Sequence, residues 1–131
     1  MRTGIVICNY NMPSSTDALA HHIKKNVKED YVLCVVDNGS DQKPPSEHTT
    51  LHLPKNIQMT RGFMRGVDQI DRLTRNSCDY YWLIITSVEF RLMDTDDPVK
   101  KLTDVFSGDK KTYAVQPSLI KTKYSAWSDL L

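Results

Sequence analysis

The feature that most constrains this chain is an unbroken apolar run, Val32-Leu33-Cys34-Val35-Val36, that stops abruptly at Asp37-Asn38-Gly39-Ser40-Asp41. The run shows no polar alternation and is rich in β-branched residues, as a strand covered on both faces requires. Strands of that kind belong to parallel sheets flanked by helices. The turn that ends it sets a carboxylate, an amide and a hydroxyl at the strand's carboxyl end. In open α/β sheets that edge is where ligands bind. What else the chain delivers to the same edge then decides what the protein can do.

Before this strand, Gly4-Ile5-Val6-Ile7-Cys8 reads as another short apolar strand, ended by the turn-rich Asn9-Tyr10-Asn11-Met12-Pro13. Ser14 or Ser15 is expected to cap the next helix, with Asp17 in its first turn, where the helix dipole favours a negative charge. Leu19, Ile23 and Val27 recur at helical spacing as a narrow apolar stripe, and the helix is expected to stop near residues 26–28. Residues 42–49 contain Pro44-Pro45 and read as a surface loop. Thr50-Leu51-His52-Leu53 reads as a short third strand, stopped by Pro54. A second helix is expected from near Gly62, with Phe63, Val67, Ile70 and Leu73 or Thr74 inward. Residues 80–85, Tyr-Tyr-Trp-Leu-Ile-Ile, carry a strong strand signal and end at Thr86-Ser87-Val88-Glu89. Asp97 is placed to cap a third helix with Pro98 at its first position. Val99, Leu102 and Val105 or Phe106 line its apolar side, and Ser107-Gly108-Asp109 closes it. Residues 112–115 are expected to form a last strand before Pro117. The order β-α-β-β-α-β-α-β predicts an α/β fold: a Rossmann-like, mostly parallel sheet flanked by helices in three layers, with right-handed crossovers.

The chain of 131 residues fits one domain, 1–131, and its 40% hydrophobic and 25% charged composition excludes disorder. A net charge of +1 supplies no electrostatic footprint for a nucleic-acid or membrane partner. No apolar stretch approaches the roughly 20 residues of a membrane span, and the short apolar run after Arg2 is no signal peptide. Cys8, Cys34 and Cys78 are odd in number and widely spaced, so they form neither a disulfide framework nor a zinc motif. Buried free thiols and a reducing, cytoplasmic compartment are the expectation.

Three polar turns thus fall at the carboxyl ends of predicted strands: Asn9-Tyr10-Asn11, Asp37-Asn38-Gly39-Ser40 and Ser87-Val88-Glu89. Asn, Asp, Gly and Ser are also the ordinary residues of turns, and Glu89 can equally be an exposed loop carboxylate. If they are functional, Asp37 can accept a hydrogen bond from a base imide or a ribose hydroxyl, and Tyr10 can stack on a planar base. Glu89 is a hard oxygen ligand suited to Mg²⁺ or Mn²⁺. Arg61 and Arg65, beside a helix amino-terminus, can supply charge to a phosphate, or simply form a solvated helix face.

In order and spacing, VICNYN, VVDNGSD, RGFMRGVDQI and YYWLIITSVEF resemble the amino-terminal half of a GT-A-fold, family 2 type glycosyltransferase. Tyr10-Asn11 matches the end of that family's first strand, and residues 36–40 match its Val-Asp-Asn/Asp-Gly-Ser. In its Asn-x-Gly-Phe-x-x-Gly-x-Asn segment, Gly62, Phe63 and Gly66 match, while Thr60 and Asp68 stand at the two Asn positions. Ser87-Val88-Glu89 occupies the place of its Asp-x-Asp metal motif, and AVQPSLI resembles its next strand.

The resemblance implies a glycosyltransferase that takes a nucleotide-diphosphate sugar of UDP or GDP type, with an acceptor that the sequence does not name. Asp37 would contact the base, with Tyr10 and its neighbours lining the base pocket, and Asn9, Asn11, Asn38, Arg61 and Ser87 are expected among the nucleotide-binding residues. Glu89 would ligate a divalent cofactor, Mn²⁺ or Mg²⁺, although Ser87 brings no charge where the family has Asp. The family's acceptor-binding half and its catalytic carboxylate have no counterpart after Ile120, where Asp129 is the sole acidic residue. The chain is therefore expected to be a fragment of such an enzyme, a truncated product, or a minimal donor-binding unit, with exposed apolar surface that favours a homo-oligomer or poor solubility. Two other readings stay open: a non-catalytic nucleotide-binding domain with a degenerate metal motif, and a nucleotidyltransferase-like domain.

Overall fold

The computed structural model describes residues 1–87 and 97–115. The described elements run β1 (Arg2–Asn9), α1 (Pro13–Asn26), β2 (Asp30–Asn38), β3 (Leu51–Leu53), α2 (Met59–Thr74), β4 (Tyr80–Ile85) and α3 (Pro98–Gly108). The four strands form one sheet in the order β3-β2-β1-β4, and every pairing is parallel. This is the expected Rossmann-like α/β arrangement.

β1 is central and pairs on both sides, so its alternation feeds two cores. Ile5 and Ile7 enter one with Leu19, Ala20 and Ile23 of α1, Val35, Ile84, and Val99 of α3. Val6 enters the other with Cys34, Val36, Leu53, and Phe63 and Ile70 of α2. α1 and α3 therefore cover one face and α2 the other. Ile5, Val6 and Ile7 are each 0% exposed. Burial of such side chains stabilises by about 1.5–3 kcal/mol each. α2 lies close against the sheet because two glycines face it one turn apart. A Cβ on Gly62 would stand 2.6 Å from Cys8 Sγ, and one on Gly66 would overlap Val6.

Several local expectations are corrected. α1 begins at Pro13, so neither Ser14 nor Ser15 caps it. Pro at the first position has no N–H to satisfy. The Asn9 side-chain oxygen instead accepts from the Met12 amide at 3.0 Å. Asp17 consequently lies past the first turn, where its carboxylate accepts from the Ser46 hydroxyl. α2 begins at Met59, a turn earlier than Gly62, after Gln58 at φ +72° with no side-chain cap. Leu73 points to solvent at 72% exposure, and Thr74 takes the inner position. Residues 112–115 form no strand. Asp109 draws the chain into a turn there, accepting from the Lys111 amide at 2.9 Å and the Thr112 hydroxyl at 3.1 Å. Residues 116–120 of the AVQPSLI segment lie outside the described residues.

α3 follows its sequence signal. Asp97 Oδ1 accepts from the amides of Val99 at 2.9 Å and Lys100 at 3.3 Å, with Pro98 at the first position. Phe106 stacks on Tyr80 with centroids 4.6 Å apart, while Val105 is exposed. The cysteines are free, as expected; Cys34 is buried and Cys8 and Cys78 are partly so. Among the described residues no helix is long and apolar enough to cross a membrane.

Candidate functional site

The chain leaves β1 toward β2 and β3 on one side, then returns through α2 to place β4 on the other side of β1. The strand order thus reverses between β1 and β4, and the crevice outside their carboxyl ends is the topological switch point of the sheet. Tyr10, Asn11 and Met12 leave β1 there, and Thr86 and Ser87 leave β4. The Thr86 hydroxyl lies 3.4 Å from Met12 Sδ, so the two loops touch across the crevice.

The β1 and β2 loops are interlocked. Asn9 pairs in register with Asp37, and its amide donates to Asp37 Oδ1 at 3.3 Å. Asp37 also accepts from the Ser40 hydroxyl at 2.6 Å and the Ser40 amide at 3.1 Å. Asp37 is only 5% exposed, so most of its accepting capacity faces its own turn. The Ser40 hydroxyl accepts in turn from the Asn11 amide at 2.9 Å. Asn11, at φ +57°, turns its side-chain oxygen onto three successive amides: Asp41 at 3.1 Å, Gln42 at 3.0 Å and Lys43 at 3.2 Å. Its amide nitrogen donates to Asp41 Oδ1 at 2.9 Å.

The solvent side of this lattice is formed by Tyr10 and Asp41. Tyr10 is 40% exposed and its hydroxyl donates to Asp41 Oδ1 at 3.1 Å. The Asn11 amide and the Tyr10 hydroxyl together hold the Asp41 carboxyl below its usual range, which keeps it ionised. The same contact, with Asp41 as acceptor, pushes the Tyr10 phenol up, so it stays a donor. An aromatic ring beside an anchored carboxylate suits a planar ligand that carries N–H or O–H donors.

Asn38 is 2% exposed and bonds inward to the start of α2. Its amide donates to the Gln58 carbonyl at 3.0 Å and to Asn56 Oδ1 at 3.3 Å, and its oxygen accepts from the Ile57 amide at 3.0 Å. Those bonds hold the amino-terminus of α2 beside the end of β2. Arg61, exposed in the first turn of α2, is thereby carried to the same edge. Asn9, Tyr10, Asn11, Asp37, Asn38, Arg61 and Ser87 all lie at the carboxyl edge, Ser87 being exposed. Glu89 lies outside the described residues, as does Asp129. Among the described residues no buried side-chain nitrogen or oxygen lacks a partner, so the lattice is complete without a ligand.

Two features lie elsewhere. Among the described residues one group offers three metal-ligating atoms within 4.8 Å of one another: Asp17, Glu47 and His48. A cavity of about 270 Å³ opens between β4 and α3, lined by Thr3, Asp79, Tyr80, Trp82, Phe106 and Tyr113 among others. It sits at the amino ends of β1 and β4, opposite the polar edge.

Compared with protein-family models, curated proteins and solved structures, the chain matches none. The candidate site therefore stands on its own geometry. Sequence reading did not single out Asp41, Met12 or Thr86. Asp41 was visible as the last residue of the polar turn, but the bonds that give it a role come from Tyr10 and Asn11 in the loop after β1. Nor does any spacing motif join Asp17 to Glu47 and His48, whose relation depends on a loop packing against α1.

Proposed function

We propose that this chain is a nucleotide-diphosphate-sugar-binding domain of the glycosyltransferase kind. The observation that carries the reading is the convergence of the β1, β2 and β4 turns at the switch point of a parallel sheet, with the amino-terminus of α2 beside them. In this reading Tyr10 stacks on the base and Asp41, held ionised, accepts from a base or ribose donor. Asp37 and Asn38 act through the shape they impose on the turn. Arg61 and the first amides of α2 draw the diphosphate by charge. The sequence resemblance adds the sugar and the transfer reaction: an acceptor hydroxyl, deprotonated by a carboxylate, displaces the nucleoside diphosphate at the anomeric carbon. Ser87 stands where that resemblance expects a carboxylate, which supports a second reading, nucleotide binding without transfer.

Calorimetry with UDP, GDP and their sugars, with and without Mn²⁺, tests the proposal. Saturable binding of one nucleotide is expected. The surface variants Tyr10→Ala and Arg61→Ala should each weaken it by about tenfold, on the order of one stacking or charge-assisted contact. Donor-sugar turnover separates the transferase from the binding domain. If neither nucleotide binds the folded chain, both readings fail.

A further inference from the structure

We propose that Asp17, Glu47 and His48 form a site for a zinc-class divalent cation that fastens the loop between β2 and β3 onto α1. The proposal is independent of the nucleotide reading. Asp17 comes from α1, and Glu47 and His48 from the loop. One ligand atom from each lies within 4.8 Å of the others.

The site is oriented from beneath by Ser46, which is 3% exposed. Its hydroxyl donates to Asp17 Oδ1 and accepts from the His48 amide at 3.1 Å. Its carbonyl accepts from the Thr49 hydroxyl at 2.6 Å and the Thr49 amide at 3.1 Å. One buried residue thus fixes both the helix carboxylate and the backbone that carries the imidazole. The Asp17 carboxylate so held contributes one oxygen to the group. Such outer contacts are what hold metal ligands in place.

One edge of the imidazole already faces Glu47. His48 Nε2 lies 3.6 Å from Glu47 Oε1, and Nδ1 lies 2.9 Å from Lys24 Nζ. A charged lysine has only protons to offer, so Nδ1 accepts and the ring proton sits on Nε2, facing Glu47. A cation bound at Nε2 takes the place of that proton, which moves to Nδ1. Lys24, which is exposed, then withdraws into solvent. Lys24 is therefore a competitor of the metal, an assignment that a purely structural hydrogen-bonded chain does not share. One imidazole and two carboxylates suit Zn²⁺, with water completing four-coordination, and do not suit Mg²⁺, which prefers oxygen ligands throughout.

The test uses the whole chain, freed of metal with a chelator and titrated with Zn²⁺ alone by calorimetry, with melting followed in parallel. One Zn²⁺ per chain is expected, with a raised Tm that Mg²⁺ does not reproduce. Asp17→Asn and His48→Gln should each weaken binding by about tenfold or more, and Lys24→Met should tighten it. Co²⁺ in place of Zn²⁺ should give a spectrum without a thiolate charge-transfer band, which separates this site from the cysteines. Undiminished Zn²⁺ binding in His48→Gln, a thiolate band, or no change in affinity on Lys24→Met would each overturn the proposal.

Discussion

Gly39 adopts φ +71°, and a Cβ there would overlap the backbone of Lys55 and Asn56. Gly39→Ala therefore combines an unfavourable left-handed conformation with a backbone overlap. Urea denaturation should show a loss of about 1–3 kcal/mol. Gly108→Ala, where a Cβ would meet nothing within 4 Å, is the matched control and should lose far less. Equal losses would mean that the Gly39 turn is not held as described. Gly39 was legible as part of a turn, yet its partner, the backbone of Lys55 and Asn56, was not, because nothing local in the sequence brings residue 55 to residue 39. Asp37 follows the same pattern. Its place at the end of β2 was legible from the abrupt stop in hydrophobicity, but its capture by Ser40 and Asn9 was not, since those bonds depend on the pairing of β1 with β2.

Among the elements, α3 was the most legible helix and α2 the least legible at its start. Asp97-Pro98 is a local signal whose physics is complete within one turn. α2 starts without a capping side chain, and its position is set by Asn38 reaching across from β2, so its first turn left no mark in its own residues. The strand expected at residues 112–115 had β-propensity but pairs with no strand among the described residues, and the side chain of Asp109 captured the chain first. Asp97 also does something its sequence did not announce. Its second oxygen accepts from the amides of Lys28 at 2.6 Å and Glu29 at 2.9 Å, which tie α3 to the segment joining α1 and β2. Asp97→Ala removes both the cap and this tie, and should destabilise by about 2–4 kcal/mol by chemical denaturation. Asp97→Ser keeps a capping oxygen and should recover part of the loss. A serine variant as unstable as the alanine variant would show that the cap contributes little and the tie dominates.

At the scale of the whole molecule, the close seating of α2 on the sheet has a titratable consequence. Burial pushes the Cys8 thiol up from 9.0 to about 11, against a smaller downward pull from the Asn38 amide. Burial moves Cys34 in the same direction. In the unfolded chain the Cys8 thiol ionises near 9.0, so below that pH both states hold the proton and the full stability is present. Between 9.0 and about 11 the unfolded state releases it while the folded state keeps it, so stability falls as pH rises. Denaturation midpoints should decline across that window, and Cys8→Ala should make the decline shallower; parallel pH profiles for variant and parent would refute the assignment. The same compact packing bears on how a ligand would be met at the carboxyl edge, where Cys8 and Asn9 end β1. Asn11 gathers the amides of Asp41, Gln42 and Lys43 on one oxygen, so two loops far apart in sequence behave as a single rigid rim. A guest arriving at such a rim encounters a mould already set. Little chain entropy remains to be lost on docking, and association should proceed in one kinetic phase, without a slow rearrangement after encounter.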